Sequence, residues 1–234
     1  MVADLFLLPG LLCDSRLWRQ QMEGLAGAAC CVVPDLTAHD TIAAMADAVL
    51  GAAPAQFALA GFSLGSCVAL EVFARAPERV ARLALLSSAV HGLPEAVRRH
   101  YLESIPAIES GGLGRYLADA FPRYVAPARV HDRAVWEVFA AMGESLGPDV
   151  AVRQMKALLA YPGGDGGLAA IRCPTAVLCG AEDHRATPTA QAELASQIPG
   201  ASLRVIEGAG HFTPLEAPVA VTEALRDWLR RPRG

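Results

Sequence analysis

The chain has 234 residues, a formal charge of −4, 53% hydrophobic residues and 19% charged ones. That length suits one domain, or one domain with a sizeable insertion, and the apolar content excludes disordered and fibrous classes. The acidic balance excludes nucleic acid as the main partner, because phosphate binding needs a basic stripe. Arginines do gather between Arg98 and Arg133, but acids are interleaved with them, as on a solvated face.

The start, "MVADLFLLPG", lacks the basic residues of a secretory leader, and Pro9-Gly10 interrupts its apolar run. No apolar stretch approaches the ~18 residues of a membrane helix. A cytoplasmic protein that does not associate with membranes is therefore expected. Six cysteines (13, 30, 31, 67, 173 and 179) lie mostly inside apolar runs, where a thiol packs as a small hydrophobe. In a reducing compartment they imply no disulfide framework. Cys173, Cys179 and His184 fit no zinc spacing, so no metal is expected.

In chain order, strand-like and helix-like runs alternate. Residues 4–10 read as a short buried strand, followed by a helix that Asp14 or Ser15 can cap. Residues 30–35 form a second strand and 41–51 an Ala-rich helix. Residues 55–62 form a third strand, with a helix over 64–76 that Pro77 ends. Residues 80–90 read as a fourth strand. Residues 175–180 and 202–208 make two more, separated by a helix near 188–198, and a last helix covers 218–230. The strands are apolar throughout rather than alternating, as in a parallel sheet covered by helices on both faces.

Residues 91–165 break this rhythm. They carry helical periodicity alone (94–105, 111–120, 131–146 and 148–160), punctuated by Gly and Pro. This predicts a core of 1–90 and 166–234 with a helical insertion of 91–165 over the C-terminal strand edge, where open α/β sheets bind ligands.

The chemistry centres on "LAGFSLGSC", where Ser63 stands between Gly61 and Gly65 at a strand-to-helix junction. A sharp turn there lifts the hydroxyl out of the sheet and aims a helix N-terminus at whatever binds. The Leu64 N–H can then hold a developing oxyanion. A serine needs a base to take its proton. Of six histidines only His211, in "EGAGHFTPLEAP" after the last strand, stands in a stretch that presents it. The base needs an acid to fix its tautomer. Asp183, just past the end of the fifth strand, is preferred, with Glu182 and Asp35 as alternatives. The end of the fourth strand holds Ser87 and Ser88 and cannot supply the acid. The turn after the first strand should give a second oxyanion donor, the N–H of Leu11 first and that of Leu12 second.

This pattern resembles the α/β-hydrolase fold family. The elbow Gly61-Phe62-Ser63-Leu64-Gly65 and the chain order Ser63, Asp183, His211 carry the resemblance, which extends over essentially the whole chain. It implies a mostly parallel sheet of about six strands, in spatial order second, first, third, fourth, fifth, sixth, with 91–165 as the family's helical cap. Two departures stand out. The oxyanion turn has Pro9-Gly10 where many relatives have His-Gly, and the chain starts at the strand that is usually third. A serine nucleophile disfavours the dehalogenase and epoxide hydrolase chemistries, which use aspartate in this family.

The expected activity is hydrolysis of carboxylic esters with small to medium apolar acyl groups, through an acyl-enzyme on Ser63. Leu11, Leu12, Phe62 and Leu64 should form apolar pocket walls, with Trp136 and Phe139 as contributors from the insertion. No cofactor is required, and the partner is a small ester or related acyl compound. The same residues could serve a C–C bond hydrolase, thioesterase or lactonase, or the fold could be a non-catalytic receptor. The sequence does not define an oligomeric state.

Overall fold

A computed structural model describes residues 3–164 and 167–232. Its frame is one sheet of six strands: β1 (Ala3–Leu8), β2 (Ala29–Val32), β3 (Phe57–Phe62), β4 (Val80–Leu86), β5 (Thr175–Gly180) and β6 (Ser202–Ile206). Every neighbouring pair is parallel, in the order β2-β1-β3-β4-β5-β6. The helices around it are α1 (Arg19–Gly24), α2 (Ile42–Ala52), α3 (Leu64–Arg75), α4 (Glu95–Ala107), α5 (Leu113–Tyr124), α6 (Arg133–Ala160), α7 (Pro188–Gln197), α8 (Thr213–Glu216) and α9 (Pro218–Arg230).

The central strands β3 and β5 are buried along their whole length, as continuous apolar runs require when both faces are covered. The edges differ from expectation. In β6 four of the five residues, Ser202 to Val205, are exposed, and β2 is buried only at Ala29 and half-buried at Cys31. An edge strand has a neighbour on one side only, so its apolar content overstates its burial. Strand ends also fall short of the apolar runs. β1 stops at Leu8 rather than at residue 10, and β4 stops at Leu86 rather than at residue 90. Ser87 turns the chain with φ 48° and takes it out of the sheet, although Val90 is still buried.

Local chemistry fixes the helix boundaries. Asp14 accepts from the Arg16 N–H to start the turn at Ser15, and Thr41 accepts from Ala44 N–H ahead of α2. Asp132 accepts from the N–H groups of Ala134 and Val135 at the start of α6. Helix α6 is broken at Gly147, where φ is 82° and Pro148 follows, so it acts as two helices. A π-helical turn at Ile108–Gly112 joins α4 to α5.

Between β4 and β5 the described residues thus form helices and no strand. The boundary expected at 165–166 itself lies outside the described residues. On α5 the buried positions Leu113, Tyr116, Leu117, Ala120, Phe121 and Tyr124 recur every three or four residues and make one inward face. Among the described residues no helix is long and apolar enough to cross a membrane.

Sheet order sets where a ligand can sit. From β1 the chain goes outward to β2, then returns to the other side of β1 as β3. The crevice beyond the C-terminal ends of β1 and β3 is the switch point at which such sheets bind ligands.

Candidate active site

Three non-glycine residues among those described have positive φ: Leu12 (54°), Ser63 (53°) and Ser87 (48°). They follow β1, β3 and β4, at the C-terminal edge of the sheet. Backbone strain of this kind costs of order 1–3 kcal/mol per residue and persists only where the surroundings enforce it.

At Ser63 the enforcement comes from two glycines. A Cβ on Gly61 would stand 2.2 Å from the Gly65 carbonyl oxygen, and one on Gly65 would stand 2.4 Å from the Leu8 carbonyl oxygen. The helix therefore presses directly against the strands, and the chain reverses within one residue. Ser66 secures the turn by donating from Oγ to the Gly61 and Leu86 carbonyls at 2.7 and 3.1 Å. Leu64 is the first residue of α3, so its N–H has no partner within the helix.

His211 lies in the loop between β6 and α8. Its N–H donates to the Tyr124 carbonyl at 2.7 Å, and Ser87 Oγ donates to its carbonyl at 3.2 Å. The buried Glu216 carboxylate accepts from the Gly210 N–H at 3.0 Å and the Ala126 N–H at 2.8 Å. One acid thus ties the histidine loop to the end of α5. The glycine-rich segment is flexible in composition but held on several sides.

The side chains then meet in a line. Asp183 Oδ2 lies 2.9 Å from His211 Nδ1, and His211 Nε2 lies 3.0 Å from Ser63 Oγ. Asp183 is 1% exposed. Burial opposes its charge, but His211 and the N–H groups of Arg185 and Ala186 outweigh that and hold the carboxyl below its ordinary value. A carboxylate can only accept, so Nδ1 of His211 carries the hydrogen and Nε2 is left to accept from Ser63. The alternatives for the acid lie elsewhere. Asp35 accepts from the Thr37 N–H in its own loop, and it is the Asp183 carboxylate, not that of its neighbour Glu182, that meets His211 Nδ1.

In the turn after β1 the two candidate donors separate. The Leu12 N–H donates to Gln154 Oε1 at 2.8 Å and is occupied. Gln154 is fully buried and its Nε2 also donates to the Leu36 carbonyl at 3.4 Å, so the second half of α6 pins this turn. No protein acceptor meets the Leu11 N–H among the described residues.

Leu11, Leu12, Phe62, Ser63, Phe139 and His211 share one cavity, together with Tyr101, Tyr116, Tyr124 and Phe212. It measures about 20 Å³, room for one water. Trp136 is the correction. It packs edge-on against Phe121, 5.3 Å between centroids, and lines a separate surface groove with Val130 and His131. Phe139, one turn further along α6, has the inward position instead. The three tyrosines, Gln154 and Arg185 were not visible as site residues in the sequence. Only the inward face of α5, with Tyr116 and Tyr124 at helical spacing, offered a signal.

Fold and rim together define a hydrolase-type α/β architecture. The model of the alpha/beta hydrolase family matches residues 5–224, and the chain belongs to that family. It is 32% identical over 179 residues to the dihydrolipoyllysine-residue acetyltransferase component of an acetoin cleaving system from Pseudomonas putida, covering 74% of this chain and 45% of that protein. It is 29% identical over 181 residues to (E)-2-((N-methylformamido)methylene)succinate hydrolase from Acinetobacter baylyi, covering 73% of this chain and 64% of that protein. The matches thus span about half to two thirds of these relatives' lengths. Among solved structures, a thermophilic esterase from Thermogutta terrifontis superposes with a TM-score of 0.89 at 27% identity, covering 97% of this chain and 89% of that one.

Proposed function

We propose that the chain is a serine hydrolase that cleaves carboxylic esters of small to medium acids through an acyl-enzyme on Ser63. The observation that carries this reading is the continuous hydrogen-bonded line from Ser63 Oγ through His211 to a buried Asp183. Similarity to an esterase of known structure supports the choice of ester over other acyl bonds.

Ser63 Oγ attacks the acyl carbon while its proton passes to His211 Nε2. The carbonyl oxygen becomes an oxyanion, held by the N–H groups of Leu11 and Leu64 at the start of α3. Collapse of that intermediate breaks the bond to the alkoxide, which leaves with the proton from His211. Water then attacks the acyl-enzyme, giving a proton to His211. Breakdown returns that proton to Ser63 and frees the acid. Asp183 keeps the imidazole in the reactive tautomer and stabilises the imidazolium between these transfers. Leu12, Phe62, Phe139 and Phe212 give the acyl chain apolar walls. The cavity is narrow for an acyl chain, so on this reading the inserted helices act as a cap that shifts when an ester enters.

The test is the Ser63→Ala variant with p-nitrophenyl butyrate, alongside labelling of Ser63 by a fluorophosphonate probe and intact-mass measurement. Turnover should fall by about 10⁴-fold or more, and wild type should gain one adduct. Unchanged turnover in the variant would overturn the mechanism.

A further inference from the structure

The roof of the cavity carries polar groups that the hydrolytic steps leave unused. Tyr101 comes from α4 and Tyr116 from α5, and both line the same space as Ser63. Tyr116 is 7% exposed, and its hydroxyl has no hydrogen-bond partner. The Tyr124 hydroxyl lies close enough to interact with both phenols, although it does not meet strict hydrogen-bond geometry to Tyr116. Leaving a buried hydroxyl unpaired costs about 1–3 kcal/mol, so a well-packed cavity keeps one only where something else supplies the partner.

Tyr101 is 2% exposed, and its oxygen accepts from Arg185 Nη2 at 2.9 Å. The Tyr124 hydroxyl is near enough to compete for its proton, which is otherwise free to be donated. Burial pushes both phenols above their ordinary value, so both are donors. The Arg185 guanidinium sits over the Tyr124 ring at 4.5 Å and near the Tyr101 ring at 5.7 Å. Among the described residues no carboxylate forms an ion pair with it, and both oxygens of the nearby Asp183 are engaged by His211 and by backbone N–H groups. Neutral phenols bond to a cation without cancelling its charge. A neutral acceptor such as a ketone would pair the phenols but leave the cation only the charge of Asp183, which is shared with His211. An anion answers both.

We propose that Tyr101, Tyr116 and the Arg185 behind them form a subsite for a carboxylate on the acyl part of the substrate. The substrates are then half-esters or lactones of dicarboxylic acids. This rests on the hydrolytic reading above and narrows its acyl group: apolar walls hold the methylenes, and the phenols hold the far end. Tyr101 and Tyr116 touch the carboxylate. Arg185 is a positioning residue that polarises the Tyr101 hydroxyl and supplies the charge.

The experiment compares half-methyl esters of succinate, glutarate and adipate with uncharged shape matches, such as methyl 5-methylhexanoate for monomethyl glutarate. The expected result is a kcat/KM ratio in favour of at least one half-ester of about tenfold or more. Tyr116→Phe and Arg185→Met should each lower that ratio by about tenfold, and Arg185→Lys, which keeps the charge, should retain most of it. Calorimetry of free glutarate binding to Ser63→Ala reads the subsite without turnover, and serves if Arg185→Met does not fold. A wild-type ratio at or below unity across the series, or a ratio that neither Tyr116→Phe nor Arg185→Met changes, overturns the subsite. If no ester is turned over yet glutarate binds and Tyr116→Phe weakens it, the hydrolytic reading falls and the subsite stands. If esters are cleaved without preference and glutarate does not bind, the reverse holds.

Discussion

The rim of the sheet and the helices inserted above it follow different rules. At the rim, position is set by backbone. Ser63, Leu12 and Ser87 hold positive φ at strand ends, and Gly61 and Gly65 leave no room for a Cβ. In the insertion, position is set by side chains that meet from afar: Gln154 against Leu12, Arg185 against Tyr101, Glu216 against Ala126. Backbone constraints tolerate almost no substitution and show as short motifs. Side-chain constraints can be re-tuned one residue at a time, which suits a surface that decides what is bound rather than what is done to it.

Variants can break this contrast. The largest effect is expected for Asp183→Asn, which should lower kcat by about 10⁴-fold by allowing the wrong histidine tautomer. It also has a pH signature. The native Asp183 carboxyl is held below its ordinary value of 3.8, so its contribution to stability is complete above the unfolded value. That contribution is lost as the pH falls through the lower native one. Acid unfolding followed by circular dichroism should show wild type and variant converging at low pH and separating above about pH 4.

Gly65→Ala comes next. A Cβ 2.4 Å from the Leu8 oxygen cannot be relieved by a side-chain movement, so denaturant unfolding should show a loss of about 4 kcal/mol or more. A fully stable Gly65→Ala protein would refute the claim that backbone contact sets the elbow.

Gln154→Leu should cost about 1–3 kcal/mol, because it leaves the Leu12 N–H buried and unpaired. Its kcat should fall more than its KM rises, since the turn that carries Leu11 loosens. The smallest effect belongs to Trp136→Ala. That side chain lines the outer groove, so kcat/KM on short esters should change by less than about threefold. A larger loss would move Trp136 back to the site.

The same contrast explains what could be read from the chain. The six strands, their order and the meeting of Ser63 with His211 and Asp183 were legible, because strand-end glycines and apolar runs are local signals. Strand ends were less so. The apolar run past Leu86 continues to Val90 because the core continues, while the sheet does not. The exposed residues of β6 could not be foreseen, since edge position depends on the whole topology. Trp136 and Phe139 looked equivalent on one helix; both pack against Phe121 of α5, but Phe139 lines the cavity and Trp136 the outer groove. Arg185 and Tyr101 are 84 positions apart, and Gln154 and Leu12 are 142 apart. Nothing local marks such pairs.

The cavity of about 20 Å³ has a kinetic corollary. An ester is longer than this narrow space, so on the reading proposed above binding draws on conformers in which the inserted helices stand further from the rim. The measured affinity is then the intrinsic affinity of the open form multiplied by its occupancy. Each roughly 1.4 kcal/mol by which a mutation favours closure should weaken apparent binding about tenfold, even when it touches no substrate. Thermal stabilisation gained by tightening α5 against the His211 loop would thus come with a raised KM. Loosening the Glu216 tether between Gly210 and Ala126 would work in the opposite direction.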